Sequence, residues 1–301
     1  MKLYDLAIIG AGPIGLIAAR KAQDANLNTI IFESRERVGG QAIELYPEKE
    51  VVDLIDTPVM LAKDYVDLLV DKLEFNERLT LKLNTSVVKV ESKDDYVSVI
   101  TSSGEVWASN VIVATGLGIY TPRPMGVEGE DKYEEIAYSV QDFSHFSDKK
   151  VLILGGGDSA IDWAKMVSRI SRDVYLIHRR NTFRGNINTI DGIDTITILT
   201  PYVPKEIIGE NGRLKALIVE HTETKELVSL DADYILVNYG NIPRGDSLGL
   251  ESLNRGIKVD ENFSAGRNIY VAGDVAAYPN KKKRILPGIE ELARIFKQII
   301  T

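Results

Sequence analysis

Cysteine is absent from this 301-residue chain. Disulfides, zinc–thiolate sites, iron–sulfur ligation and thiol catalysis are excluded together, so any redox chemistry must run on a bound cofactor. Histidine is nearly absent too. His145, His178 and His221 are the only three, and none has a second histidine at metal-ligand spacing, which argues against a histidine metal site. No apolar run is long enough to span a bilayer. An apolar fraction of 44% with 27% charged residues describes a soluble globular protein. The stretch that most imitates a signal-peptide core, 6–19, is interrupted by Gly10, Gly12, Pro13 and Gly15 and leads into a charged helix, so a cytoplasmic location is expected. Basic excess is missing as well: a net charge of −8 and a pI of about 5.1 argue against nucleic acid as the main partner.

What the chain does contain is one kind of turn, twice: Gly10-Ala-Gly12-Pro-Ile14-Gly15 and Gly155-Gly156-Gly157-Asp158-Ser159-Ala160. Each follows an apolar strand and opens a helix, an arrangement that aims backbone N–H groups and a helix N-terminus at a pyrophosphate. The next strand of each unit ends in charge of opposite sign. Glu33 ends the first, and an acid there suits a free ribose 2′-hydroxyl. Arg179 and Arg180 end the second, with Arg184 one short turn later, and three guanidiniums suit a 2′-phosphate. Two different dinucleotides are therefore predicted, the second being NADPH rather than NADH. His178, just before the arginines, is expected to pack or cap rather than act as a base.

The surrounding pattern predicts an α/β fold. A strand over 4–9, a helix with Ile14, Ile17, Ala18 and Ala22 on one face, a strand over 28–32 and an amphipathic helix over 60–76 are expected. Alternation between 79 and 114, with a turn at Ser102-Ser103-Gly104, reads as an inserted β-meander. The second half repeats the order: strand 150–154, helix to about 170, strand 173–177, a meander around Asn211-Gly212, and a closing strand over 234–240. Crossings are expected at Pro122 to Gly126 and at Pro243 to Gly245. The expected division is 1–117 and 247–301 as one nucleotide-binding domain, with 118–246 as the other.

Several strings are more specific than the glycines: Gly39-Gly-Gln41, Leu45-Tyr-Pro-Glu-Lys49, Ala114-Thr-Gly116, Gly155 to Trp163, His178-Arg-Arg180 with Phe183-Arg184, Val237-Asn-Tyr-Gly240 and Ala272-Gly-Asp274. Through them nearly the whole chain resembles the thioredoxin-reductase-fold flavoproteins, and most closely the ferredoxin/flavodoxin–NADP(+) reductases of that fold. The resemblance implies two Rossmann-like three-layer domains, each with an inserted meander, and a homodimer. It implies FAD held around Gly10, Gly12, Ile14, Gly15, Glu33, Gln41, Tyr46, Val87, Gly116, Tyr120, Gly273 and Asp274, with Tyr46 stacked on the isoalloxazine. It implies NADPH held around Gly155, Gly157, Asp158, Ser159, Arg179, Arg180 and Arg184. Where thioredoxin reductases carry Cys-x-x-Cys, gapless matching puts Tyr138-Ser-Val-Gln141, so the disulfide relay is gone. Hydride transfer between two cofactors then needs no catalytic acid or base from the protein.

The match weakens toward the C-terminus. Members of that group carry Gly-Phe-Gly-Glu-Ala at the start of a final helix facing the flavin, where this chain has Gly288-Ile-Glu-Glu-Leu292 and then ends at Thr301. Glu290 is expected near the flavin, offsetting the positive helix end, and an open flavin face is expected from the shorter tail. Lys281, Lys282, Lys283 and Arg284 just before this helix form a candidate docking patch for an acidic carrier. The function expected is electron delivery from NADPH through FAD to ferredoxin or flavodoxin. The alternatives are a diaphorase-like reductase of quinones, free flavin or oxygen, and a redox-sensing NADPH-binding module with weak FAD binding.

Overall fold

The computed structural model describes residues 2–45, 47–52, 54, 58–116, 118–140, 142–244, 248–254 and 256–300, with the backbone alone at 119–121 and 241–244. Tyr46, Gln141, Gly245 and the side chain of Tyr120, all named above, lie outside the described residues. The chain divides into two compact units, Met1–Tyr120 with Pro243–Thr301, and Thr121–Ile242.

The first unit begins β1 (Leu3–Ile9), α1 (Pro13–Asp24), β2 (Thr29–Phe32), α2 (Ala62–Asp71), β3 (Leu79–Lys82), β4 (Val87–Ser92), β5 (Val97–Thr101) and β6 (Gly104–Val113). The second contains β7 (Ile136–Ala137), β8 (Lys150–Leu154), α3 (Asp158–Val167), β9 (Asp173–Ile177), β10 (Ile196–Leu199), β11 (Tyr202–Glu210), β12 (Arg213–His221), β13 (Leu227–Asp231) and β14 (Tyr234–Val237). The chain then returns to the first unit with β15 (Ser264–Gly266), β16 (Ile269–Val271) and α4 (Ile285–Ile299). The first sheet runs β15-β16-β6-β1-β2-β3, with β4 and β5 attached beyond β6; the second runs β7-β14-β8-β9-β10.

Both central strands are buried on two faces, and in the same way. Along β1, Leu6 and Ile8 enter the core beneath α1 and α4, while Ala7 and Ile9 enter the core under the meander. Along β8, Val151 and Ile153 face α3, while Leu152 and Leu154 face the second meander. The period of two divides the apolar run of each strand, Leu6–Ile9 and Val151–Leu154, between two cores, as a parallel strand covered on both sides requires. Each fully buried branched side chain contributes about 1.5–3 kcal/mol.

Several expectations are corrected. The expected helix over 60–76 is shorter, Ala62–Asp71, because Met60–Leu61 pairs with Glu50–Val51 as a ribbon. The expected face of α1, Ile14, Ile17, Ala18 and Ala22, does pack in one core, but Leu16 and Ala19 are buried there as well, since the helix touches β1, β2, α2 and α4. The segment 79–82 belongs to the parallel sheet beside β2, not to the meander. Finally, β6 is one strand that pairs antiparallel with β5 and parallel with β1, so the first meander is part of the main sheet. No glycine or proline interrupts 105–113, and the backbone continues straight from one partner to the next. In the second unit the meander is a separate sheet, β11-β12-β13. Its first hairpin turns at Asn211 (φ 54°) and Gly212 (φ 76°), the paired left-handed residues that match hairpin twist. The helix of that unit ends at Val167 and the last strand at Val237, each three residues early.

Candidate functional site

In the first unit the glycine turn joins the carboxyl end of β1 to α1. Gly12 is the N-cap, Pro13 follows where a missing N–H is harmless, and no side chain caps the helix, which leaves its N-terminus to a ligand. Gly15 is a matter of close approach: a Cβ there would stand 1.9 Å from the Gly10 carbonyl oxygen. The Glu33 carboxylate, only 6% exposed, accepts from the Ala11 N–H at 2.9 Å, from Arg35 N–H at 3.0 Å and from the Ser34 hydroxyl at 3.2 Å. The acid at the end of β2 is thereby fastened to the glycine turn.

Of the other residues expected around FAD, those described gather at the same end of the sheet. A Cβ on Gly10 would meet Ala114 O at 2.7 Å, one on Gly12 would meet Gly40 Cα at 3.9 Å, and one on Gly116 would meet Gln41 Nε2 at 3.1 Å. Arg35 and Arg37 both pair with Glu44, at 2.6 and 2.9 Å, and hold the 35–44 segment against this end. Thr85 N–H donates to Glu33 O at 2.8 Å, which places Val87 two residues along the chain from that contact. Ile14 lies against Gly273 and Gly288, joining the first turn of α1 to the start of α4. Burial raises the Asp274 carboxyl above the usual aspartate range, while Lys283 and Lys281 pull it back.

One sequence expectation changes here. Lys281 is not part of an exposed patch, because its side chain is 6% exposed and paired with Glu291, itself 2% exposed. Glu290 is exposed on α4, and its neighbour Glu291 is the buried acid. Gly273 N–H donates to Glu291 Oε2 at 2.7 Å, and the Tyr278 hydroxyl donates to Oε1 at 2.6 Å. Burial, then this hydrogen bond to a carboxylate, push the Tyr278 phenol up. The signal for Glu291 was an acid inside an otherwise apolar stripe of α4, Leu292, Ile295 and Phe296.

In the second unit Gly155 (φ 154°) needs its missing side chain, since a Cβ would stand 2.6 Å from Asn238 O at the end of β14. Gly157 is the N-cap of α3, again without a side-chain cap, with Asp158 exposed and Ser159 half-buried in the first turn. Arg184 N–H and Gly185 N–H both donate to Gly156 O, at 2.8 and 3.2 Å. This clips the arginine loop to the glycine turn, and Arg184 Nη2 would lie 2.7 Å from a Cβ on Gly157. Arg179 and Arg180 are exposed just beyond β9. Burial pushes the Tyr239 phenol up to about 12, and the charge of Arg179 opposes that rise.

His178 packs, as expected. Its ring lies on Gly156 and against Phe183, with centroids 5.0 Å apart. Burial lowers its pKa below the usual histidine value, a backbone hydrogen bond with Thr182 opposes this, and Arg179, Arg180 and Arg184 lower it further. A depressed folded-state value means that its stabilisation is present above the unfolded value of about 6.5 and lost as pH falls through the folded one. His178→Gln is therefore expected to lose less melting temperature than the native chain between pH 7.5 and 5.5. Equal losses in scanning calorimetry would contradict the assignment.

Among the described residues, no group of three or more histidines and acids could hold a metal ion, and no helix is long and apolar enough to cross a membrane. The family described as pyridine nucleotide-disulphide oxidoreductase matches residues 4–293. The chain is 37% identical over 305 residues to a ferredoxin–NADP reductase of Acholeplasma laidlawii, covering 99% of this chain and 94% of the relative. It is 33% identical over 308 residues to one from Streptococcus thermophilus, covering 99% and 93%. Among solved structures, thioredoxin reductase of T. acidophilum superposes with a TM-score of 0.82 at 21% identity, covering 100% and 98%. That of Lactococcus lactis gives 0.80 at 24% identity, covering 98% and 97%. These two show the fold, a thioredoxin-reductase-like α/β arrangement.

Proposed function

Since the chain belongs to the pyridine nucleotide-disulphide oxidoreductase family, we propose that this FAD- and NADPH-using oxidoreductase passes its electrons to ferredoxin or flavodoxin. One observation carries the reading. A glycine turn fastened to a buried acid and a glycine turn clipped to an arginine loop occur in one chain, and that chain has no cysteine. The relatives named ferredoxin–NADP reductase support the choice of acceptor.

The residues present fit both groups. The uncapped start of α1 and the Glu33 carboxylate suit a pyrophosphate and an unphosphorylated ribose; the uncapped start of α3 with Arg179, Arg180 and Arg184 suits a pyrophosphate and a 2′-phosphate. The chemistry supplied by the bound pair is hydride transfer from nicotinamide to flavin. The protein binds and orients, and no histidine is placed to move a proton. Anaerobic NADPH oxidation with ferredoxin, flavodoxin, quinone or oxygen as sole acceptor tests the proposal. Turnover fastest with a protein carrier is expected; preference for quinone or oxygen would replace it with a direct reductase, and a colourless protein with an NADPH sensor.

With Lys281 buried, the docking patch comprises Lys282, Lys283 and Arg284, all exposed at the start of α4. Lys282→Ala/Lys283→Ala is expected to lower carrier kcat/KM about tenfold at low salt and to flatten its salt dependence. An unchanged salt slope removes the patch. A cytoplasmic homodimer accords with this function and is checked by light scattering and cell fractionation.

A further inference from the structure

We propose that Glu291 is a positioning residue for the flavin, acting through the Gly273 N–H that its carboxylate holds. The inference rests on the assignment of the first glycine turn and Gly273–Asp274 to FAD. Three donors reach this one buried carboxylate from three directions: the Gly273 backbone at 2.7 Å, the Tyr278 hydroxyl at 2.6 Å and the Lys281 ammonium. All three lie within the segment, 272–284, that links β16 to α4. The carboxylate thus closes this segment on itself and holds it to the helix.

The position of that closure gives it a function. Gly273 is left-handed (φ 79°), and its backbone lies where Ile14, in the first turn of α1, and Gly288, in the first turn of α4, also meet. A Cβ on Gly288 would stand 2.5 Å from Ile14 Cδ1 and 3.4 Å from Gly273 Cα. The peptide that Glu291 grips is therefore the one on which the uncapped helix start and Asp274 are both aligned. A buried ion pair is a poor device for raw stability, because desolvating two charges offsets most of their attraction. Its strength is direction, since only one arrangement satisfies all three donors. Lys281 neutralises the acid that grips Gly273, and Tyr278 shares Oε1 with it, which leaves Oε2 to the Gly273 N–H.

The test uses the purified holoenzyme, with the FAD dissociation constant read from flavin fluorescence released on dilution, and melting followed at saturating FAD. Glu291→Leu leaves the Lys281 charge buried alone and is expected to melt lower. Lys281→Met/Glu291→Leu removes both charges and is expected to recover that melting temperature. It still lacks an acceptor for Gly273, so its FAD dissociation constant is expected about tenfold above native. Lys281→Met/Glu291→Gln restores a neutral acceptor and is expected to restore FAD affinity. Native affinity in the Met/Leu variant would make the pair purely structural and overturn the proposal, as would a Met/Gln variant no better than Met/Leu. Glu33→Ala separates the two levels. If it too binds FAD with native affinity, the flavin site itself is misassigned and the proposal falls with it; if it weakens FAD while Met/Leu does not, only the role of Glu291 falls.

Discussion

Gly15→Ala is expected to yield a protein that melts about 10 °C lower and is purified largely without flavin. The added Cβ would stand 1.9 Å from Gly10 O and 2.9 Å from Gly10 C, both backbone atoms of the same turn. Gly10 cannot retreat, because its own position is set by Ala114 and Thr115 behind it. The turn must open, at a cost of about 3 kcal/mol or more. For a unit of this size that lowers the melting temperature by about 2–4 °C per kcal/mol. Gly12→Ala is the informative contrast. Its φ of −73° is open to any residue and the nearest atom to a Cβ is 3.9 Å away. That methyl group meets only Gly40 Cα, at ordinary van der Waals distance, and otherwise projects from the uncapped helix start, so Gly12→Ala should melt normally and bind FAD weakly. Melting curves and flavin absorbance per chain decide both, and a native melting temperature for Gly15→Ala would refute the close approach.

Arg179→Ser/Arg180→Ser is expected to lower kcat/KM for NADPH about a hundredfold while leaving NADH nearly unaffected. A charge-assisted hydrogen bond to phosphate is worth about 1.5–3 kcal/mol, and the exposure of both guanidiniums puts each at the lower end. Two such bonds give about 3 kcal/mol, or roughly two decades in affinity. Arg184 is left in place because its backbone also holds the loop to Gly156. The decisive quantity is the NADPH-to-NADH ratio, measured at fixed ionic strength. A ratio unchanged from native would mean that these arginines do not read the 2′-phosphate.

Why some of this was legible beforehand is clearest from the two turns. A strand, a glycine turn, a helix and a second strand form a unit closed by short-range contacts, so Glu33 and Arg179 land beyond the second strand on the side of the glycine turn whatever surrounds them. The meanders were legible as alternation. Their attachment was not, because alternation states which face is buried and not which strand lies alongside, and β6 turned out to serve two partners. Lys281 was misread for a related reason. In sequence it heads a basic run, and only packing removes it from that run.

By itself, the sequence determined the number of glycine turns, the sign of charge that ends the second strand of each unit, and the absence of thiol chemistry, all matters of residue type at short spacing. Tertiary structure decided which acid of the Glu290–Glu291 pair faces inward, and which lysine of Lys281, Lys282 and Lys283 leaves the surface to meet it. A charged side chain enters a core only where a partner and donors stand ready within hydrogen-bond reach, and here those come from Gly273, Tyr278 and Lys281, brought together only when the link from β16 folds back on α4.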